Sequence, residues 1–110
     1  MFAEVKALMP SQISGDDYDA QIVANIYAAV HDLADTADII IPGNVSISIN
    51  STTGAVTDNS TVDDQYVLAV IALWCSLRIG NPPNYDQLLQ AYNSIKANMS
   101  RSSKYSNYPE

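Results

Sequence analysis

The stretch DDQYVLAVIALWCSLRIGNPPNYDQLLQAY, residues 63–92, contains an apolar run followed by a second segment with helical spacing. Its twelve residues from Tyr66 to Leu77 contain only one markedly polar side chain, Ser76. A membrane-spanning helix needs roughly 18–20 apolar residues, so this run is too short to cross a bilayer. It is either the central helix of a small core or a helix that is partly covered by another subunit.

The residues on either side of the apolar run define where its helix begins and ends. Thr61 or Asp63 is expected to cap its start, and Gly80 its end near Ile79. After a Pro-containing connection, a last helix is predicted from Tyr85 to about Asn98. Its apolar residues recur at helical spacing, at Leu88, Leu89, Tyr92, Ile95 and Met99.

Upstream, residues 17–36 predict a long amphipathic helix. Its apolar stripe consists of Ile22, Val23, Ile26, Tyr27, Val30, Leu33 and Ala37. Ser14 and Asp17 have the spacing of a capping box at its start. Residues 3–9 predict a short helix that stops before Pro10, because the residue before a proline avoids helical backbone angles.

Residues 39–61 have a different residue pattern, which predicts a β-hairpin between the first and second long helices. Val45, Ile47 and Ile49 alternate with polar residues, the period of a strand with one apolar face. The sequence NSTTG then predicts a turn in which Gly54 takes a positive φ. A lone two-stranded hairpin is only marginally stable in water, so it must pack against the helices or pair with a hairpin of another copy.

These elements predict one mainly α-helical domain: a small bundle of three principal helices with a short N-terminal helix and a hairpin insertion. We assign residues 1–98 to this domain and residues 99–110 to an extended, flexible C-terminal tail. A chain of 110 residues with 47% hydrophobic and 15% charged residues is typical of one globular domain. The lone Cys75 and the lack of an export signal favour the cytosolic side of a cell as the compartment of the protein.

The charge is unevenly distributed along the chain, whose net charge is −7. Residues 1–64 carry ten acidic side chains against Lys6, whereas residues 65–110 carry four basic side chains against Asp86 and Glu110. The net negative charge argues against nucleic-acid binding, which needs a basic face to neutralise phosphates. This separation of acidic and basic residues along the chain suits a head-to-tail assembly, in which the acidic part of one copy meets the basic part of the next.

Candidate groups for catalysis or metal binding are sparse. His31 is the only histidine and can supply one metal ligand at most. Cys75 lies in apolar surroundings, which disfavour a thiolate and favour simple burial. The run Asp16-Asp17-x-Asp19 lacks the glycine and the distal glutamate of a calcium loop. We therefore predict no catalytic residue, no cofactor and no metal site.

An interaction protein is the remaining class. Two long helices and a small hairpin are expected to leave part of the apolar helix uncovered, around Val70, Leu73, Trp74 and Leu77. Such exposed apolar patches mark association sites. The open alternative is that the short helix 3–9 and the hairpin complete the coverage within one subunit.

Four segments, taken in order, resemble the small head–tail connector (adaptor, or head-completion) proteins of tailed bacteriophages. They are EVKALM at 4–9, DDYDAQIVANIYAAV at 16–30, VLAVIALWCSLR at 67–78 and QLLQAYNSIK at 87–96. The correspondence covers about residues 3–97. Of the YENR-like sequence that often ends the family's third helix, this chain keeps only Arg78.

The resemblance implies a mostly helical subunit that assembles into a ring, commonly of twelve copies. The ring docks under the portal protein at the capsid vertex, extends the DNA channel, and meets a tail-proximal neck or tail-terminator protein. Genomic DNA passes through without specific binding, and no membrane is involved. The family has no catalytic residues. Such a protein is made in the host cytoplasm and resides at the head–tail junction, or neck, of the virion.

The resemblance also implies where contacts lie. Family members engage the portal with a C-terminal segment, which here contains Arg101, Lys104, Tyr105 and Tyr108. We predict that the subunit interface or channel lumen includes Asp32, Asp35, Asp38, Trp74 and Arg78. The three aspartates suit a lumen, because carboxylates there repel DNA phosphates. The hairpin residues Val45, Ile47 and Ile49 are expected to contact a neighbour by strand addition. The alternative function is an acidic protein-binding module or nucleic-acid mimic that acts as a monomer or dimer.

Overall fold

The computed structural model describes residues 1–9, 16–79, 83–102 and 104–105. Within these ranges the chain is mainly helical, with one hairpin between two long helices, as the sequence predicts. The elements are α1 (Phe2–Leu8), a 3-10 turn (Asp16–Tyr18), α2 (Asp19–Ala37), β1 (Ile47–Ile49), β2 (Val56–Asp58), α3 (Gln65–Arg78) and α4 (Tyr85–Ser100). The capping roles predicted for Ser14 and Gly80 lie outside the described residues.

Helix α3 lies at the centre of the domain and contacts α1, α2 and α4. Val67, Val70, Ile71 and Cys75 on this helix are fully buried. The apolar run is thus largely the core of a single subunit. The prediction of an exposed patch is wrong at Val70 and Leu77, which are both buried within the subunit. None of the helices in the described ranges is long and apolar enough to cross a membrane.

Helix α2 begins two residues later than predicted and is joined to α1 at its start. Its first residue, Asp19, is buried, and its carboxylate accepts a hydrogen bond from Lys6 at 2.7 Å. The helix ends where Asp38 adopts a left-handed conformation, φ 53°. The N–H of Ile39 then bonds the Leu33 carbonyl, a Schellman-type end that aspartate tolerates better than most residues.

Asp64, not Thr61 or Asp63, caps α3. Its Oδ1 accepts from two backbone N–H groups of the first turn, at 2.9 and 3.2 Å. Thr61 instead closes the base of the hairpin, where its hydroxyl accepts from the N–H of Asn44 at 2.8 Å. The helix begins at Gln65, so Asp64 occupies the residue directly before it, the position at which a short polar side chain reaches the first free N–H groups.

The hairpin has the predicted strands and turn. Strands β1 and β2 pair antiparallel, with Ile47 opposite Asp58 and Ile49 opposite Val56. In the turn, Gly54 takes φ +76°, and the Asn50 carboxamide accepts two backbone hydrogen bonds. The local sequence therefore predicts the position of the turn and the strands.

The C-terminal boundary differs from the prediction. Helix α4 continues to Ser100, and Met99 is fully buried at its end. Tyr105 is also buried, because its ring stacks on Tyr66 and so becomes part of the domain. The part of the predicted tail that can be described therefore packs on the domain. Tyr108 lies outside the described residues.

Candidate interaction surfaces

The chemical groups that most often carry catalysis are isolated or buried. Among the described residues, no three histidine, cysteine, aspartate or glutamate side chains lie close enough to hold a metal ion. Cys75 is fully buried, and burial raises its pKa to about 12, so the thiol is neutral at physiological pH. His31 is exposed on α2.

A polar cluster of Asp32, Tyr92 and Lys96 joins α2 to α4. The buried Tyr92 hydroxyl donates to Oδ2 of Asp32, and Lys96 Nζ lies 3.4 Å from the same oxygen. Lys96 also bonds the Thr36 hydroxyl at 3.1 Å. Burial, aided by the neighbouring Asp32 carboxylate, raises the pKa of Tyr92 and keeps its phenol protonated. Asp32, predicted to lie at the lumen or subunit interface, therefore already has partners within its own subunit.

Asp35 and Asp38 differ from Asp32. Both are exposed, and neither forms an ion pair with any residue in the described ranges. They lie at the C-terminal end of α2 and just after it. These two carboxylates are therefore the members of the predicted lumen set that are available to another molecule.

Trp74 and Arg78, predicted at an interface, lie against each other on α3. The Arg78 guanidinium is 4.1 Å from the Trp74 ring centroid, and the same ring contacts Tyr92 at 5.5 Å between centroids. Trp74 is half-buried, and its Nε1–H is shielded from solvent without a hydrogen-bond partner among the described residues. Arg78 is exposed and forms no ion pair in those residues. Tryptophan and arginine are the residue types that most often dominate binding energy at interfaces.

The opposite charges of the two halves of the chain meet largely inside the subunit. Among the described residues, the structure shows ion pairs between lysine and aspartate at Lys6–Asp19 (2.7 Å), Lys96–Asp32 (3.4 Å) and Lys104–Asp64 (2.7 Å). Two of them join the acidic half to the basic half, because α2 and α4 are in contact and the C-terminal residues return to α3. Arg78 and Arg101 are the exposed cations that remain for a head-to-tail contact in the described ranges.

The hairpin is held by helices of its own subunit. The Tyr27 hydroxyl donates to the Ile47 carbonyl at 3.0 Å and accepts from the Ile47 N–H at 2.8 Å. On the other strand, Asp58 accepts from the N–H of Phe2 at 2.6 Å. Of the residues predicted to contact a neighbour, Ile47 is thus buried inside the subunit, whereas Val45 and Ile49 are half-buried.

The residues after α4 bind back onto the start of α3. Lys104 Nζ lies 2.7 Å from Oδ2 of Asp64, and the Tyr105 hydroxyl donates to the same oxygen at 2.8 Å. The Tyr105 ring stacks on Tyr66 at 6.2 Å between centroids. The Lys104 ammonium contributes most to lowering the pKa of Asp64 to about 2, and the hydrogen bond from Tyr105 adds to it against the opposing effect of burial.

Asp64 was not among the residues predicted from the sequence to lie at a functional site. The available signal was an aspartate directly before an apolar helix, which predicts only a cap. Its second role depends on residues about forty positions away. Of the predicted docking residues, Arg101 is exposed, whereas Lys104 and Tyr105 are engaged by Asp64.

An apolar groove of about 480 Å³ lies between α1, α3 and α4. Leu8, Leu73 and Leu88 line it, and Leu8 is 55% exposed. Leu73 is thus the member of the predicted apolar patch that faces this groove.

No protein-family model, curated protein or solved structure matched this chain.

Proposed function

We propose that this protein is a ring-forming adaptor of a tailed bacteriophage, a structural virion protein at the head–tail junction. It docks on the portal, extends the DNA channel and provides the platform for tail attachment. The observation that carries the proposal is the ordered set of four motifs that resembles the connector family. A helical domain with a hairpin between its first two long helices agrees with the architecture that this resemblance implies.

The distribution of free charge supports a channel role. Three lysines are paired with carboxylates inside the subunit, so the acidic excess of the chain remains on its surface. A lumen that carries Asp35 and Asp38 repels DNA phosphates and lets the duplex slide. Asp32 contributes to this surface indirectly, by fixing α2 against α4.

Charge changes in α2 test the lumen assignment. A ring of D35K subunits is expected to retain duplex DNA at low salt. Each lysine placed near the DNA phosphates releases condensed counterions, which strengthens binding. Asp86→Lys, which changes an exposed acid on α4, is the matched control and is expected to leave DNA retention unchanged. At Asp38 the suitable change is Asp38→Asn, since asparagine tolerates the left-handed backbone there. Equal DNA retention by D35K and D86K rings would contradict the lumen assignment.

The C-terminal residues are the proposed portal-docking segment, and the fold dictates how to truncate them. Removal of residues after Asn98 would delete the buried Met99 and Tyr105 and damage the domain itself. A chain that ends at Tyr105 keeps both side chains and loses Tyr108. We expect this 1–105 chain to bind the portal at least about tenfold more weakly than the full chain in co-sedimentation. Equal binding by both chains would remove the last five residues from the docking mechanism.

A second candidate is an acidic protein-binding module or nucleic-acid mimic. The same observation favours it, since internal pairing of the lysines leaves an acidic exterior. It predicts a monomer or dimer that inhibits a DNA-binding protein and adds no layer to a portal. The portal-binding experiment therefore separates the two functions.

A further inference from the structure

We infer that Asp64 is the centre of a releasable latch, formed by Asp64, Lys104 and Tyr105, which holds the C-terminal segment closed on the free subunit. One carboxylate performs two tasks. Its Oδ1 caps α3, and its Oδ2 accepts from the Lys104 ammonium and the Tyr105 hydroxyl. The inference rests on the proposed function for the identity of the partner that opens the latch.

The contacts of the latch are strong enough to close it. Tyr105 is 7% exposed, so most of its ring is removed from water, and it stacks on the ring of Tyr66. Its hydroxyl bonds to an ionised carboxylate, a type of hydrogen bond that is stronger than a neutral one. The low pKa of Asp64 keeps that carboxylate charged at neutral pH.

The same contacts are few enough to open locally. The Lys104 side chain is 63% exposed, and an ion pair with an exposed partner contributes little. Tyr66, the stacking partner, is itself exposed. Within the described residues, Lys104 and Tyr105 are held by one buried ring, one ion pair and the hydrogen bonds of Tyr105, contacts near the chain surface that can open without global unfolding.

The latch also reaches the loop between α2 and the hairpin. The Tyr105 carbonyl accepts from the N–H of Ile40, which lies three residues after α2. Opening the latch therefore releases the Ile40 amide, which is far in sequence from both Asp64 and Tyr105. The preceding amide, of Ile39, bonds to the Leu33 carbonyl at the end of α2 and does not depend on the latch.

In the closed subunit, Asp64 engages two of the four residues predicted for portal docking, Lys104 and Tyr105. Lys104 and Tyr105 engage another molecule only after they leave this carboxylate. The portal surface that replaces it must offer a carboxylate for the ammonium and the phenol, together with an apolar face for the ring. The partner binds only the open state. Its apparent affinity therefore equals its affinity for open subunits multiplied by the fraction of subunits that are open.

Amide hydrogen exchange measured by NMR on the full chain tests the latch directly. Tyr105→Phe removes the bond to Asp64 but keeps the ring, and Asp64→Asn removes the ion pair while retaining a good helix cap. Both variants are expected to speed exchange of the Ile40 amide about tenfold, the effect of losing one hydrogen bond to a charged group. Exchange of the Ile39 amide is expected to stay unchanged.

Two controls make the result specific. Asp63→Asn changes a neighbouring exposed carboxylate, and Tyr85→Phe removes a hydroxyl from an exposed ring on α4. Neither is expected to alter exchange at Ile40. If the Ile40 rate does not respond to the latch variants, or if Ile39 accelerates equally, the local latch is wrong.

Portal binding by the same variants tests the regulatory role. If closure limits docking, Asp64→Asn, which frees both docking side chains, binds the portal about tenfold more tightly than the wild type. Local opening with equal portal affinity would reject the regulatory role of the latch and leave the connector function intact. Local opening with no portal binding by any variant or by the wild type would reject the connector function and leave the latch as a conformational feature.

Discussion

At the scale of single residues, carboxylates connect the elements of this domain. Asp19 joins α2 to α1, Asp32 joins α2 to α4, Asp58 joins the hairpin to α1, and Asp64 joins α3 to the C-terminal segment. Each accepts hydrogen bonds from another element, so part of the acidic composition has a structural role. Asp35 and Asp38 have no such partner among the described residues and carry charge to the surface.

The bond between Tyr92 and Asp32 is expected to contribute measurably to stability. Tyr92→Phe keeps the buried ring and removes the donor to a half-buried carboxylate, which should lower the free energy of unfolding by about 1–3 kcal/mol. Urea denaturation followed by the fluorescence of the single tryptophan, Trp74, measures the change. Tyr85→Phe, at a ring that is 45% exposed, should stay within about 0.5 kcal/mol of the wild type. Similar losses in both variants would refute the structural role of this pair.

Asp64 also predicts a specific acid dependence of stability. Its pKa falls from 3.8 in the unfolded chain to about 2 in the fold, so the fold binds the proton less well than the unfolded chain does. The contribution is fully present above about pH 4 and is lost as the pH falls toward 2. Urea denaturation between pH 5 and pH 2 should therefore show a shallower acid loss for Asp64→Asn than for the wild type. Asp63→Asn should keep the wild-type slope, and an identical slope in D64N would contradict the assigned coupling.

At the scale of elements, the hairpin is stable because helices of the same chain support it. Two strands of three residues each are too few to be stable alone in water. The Tyr27 hydroxyl satisfies both backbone groups of Ile47, and Phe2 donates to Asp58. A neighbouring copy is therefore not required to fold this hairpin.

Removal of the Tyr27 hydroxyl should loosen the hairpin more than the helices. In Tyr27→Phe the N–H and C=O of the buried Ile47 lose their shared partner, which should lower the local opening free energy by about 1–3 kcal/mol. Hydrogen exchange at the Ile47 amide should accelerate accordingly, while amides in the centre of α3 should not change. A uniform acceleration across the domain would mean that the hydroxyl supports the whole fold.

The local elements of this fold could be predicted from the sequence, but most of the contacts between them could not. Helical spacing placed α2, α3 and α4, and the alternation around Ile47 with Gly54 placed the hairpin, because these signals lie within a few residues. The cap at Asp64 was missed by one residue, since a cap depends on the first helical residue. The burial of Tyr105 and the pairing of Lys96 with Asp32 join residues that are far apart in sequence. No local pattern encodes them.

At the scale of the whole molecule, the long apolar run of α3 is explained mostly within one subunit. Helices α1, α2 and α4 contact α3 and bury most of the run. Tyr66 stays exposed, and Ala69, Leu73 and Trp74 are half-buried. We expect the proposed association to use Arg78 beside Trp74, the apolar groove near Leu8, and the C-terminal residues. The subunit measures 47 × 32 × 20 Å, so twelve copies side by side would close a ring of at least about 80 Å in mean diameter.

The most direct test of the proposed adaptor role is electron microscopy of a portal protein encoded in the same genome, imaged alone and after mixing with an excess of this protein. For a ring-forming adaptor we expect an additional closed layer, coaxial with the portal and at least about 80 Å in mean diameter. A portal whose averaged image is unchanged at saturating concentrations of the folded, full-length protein would contradict it.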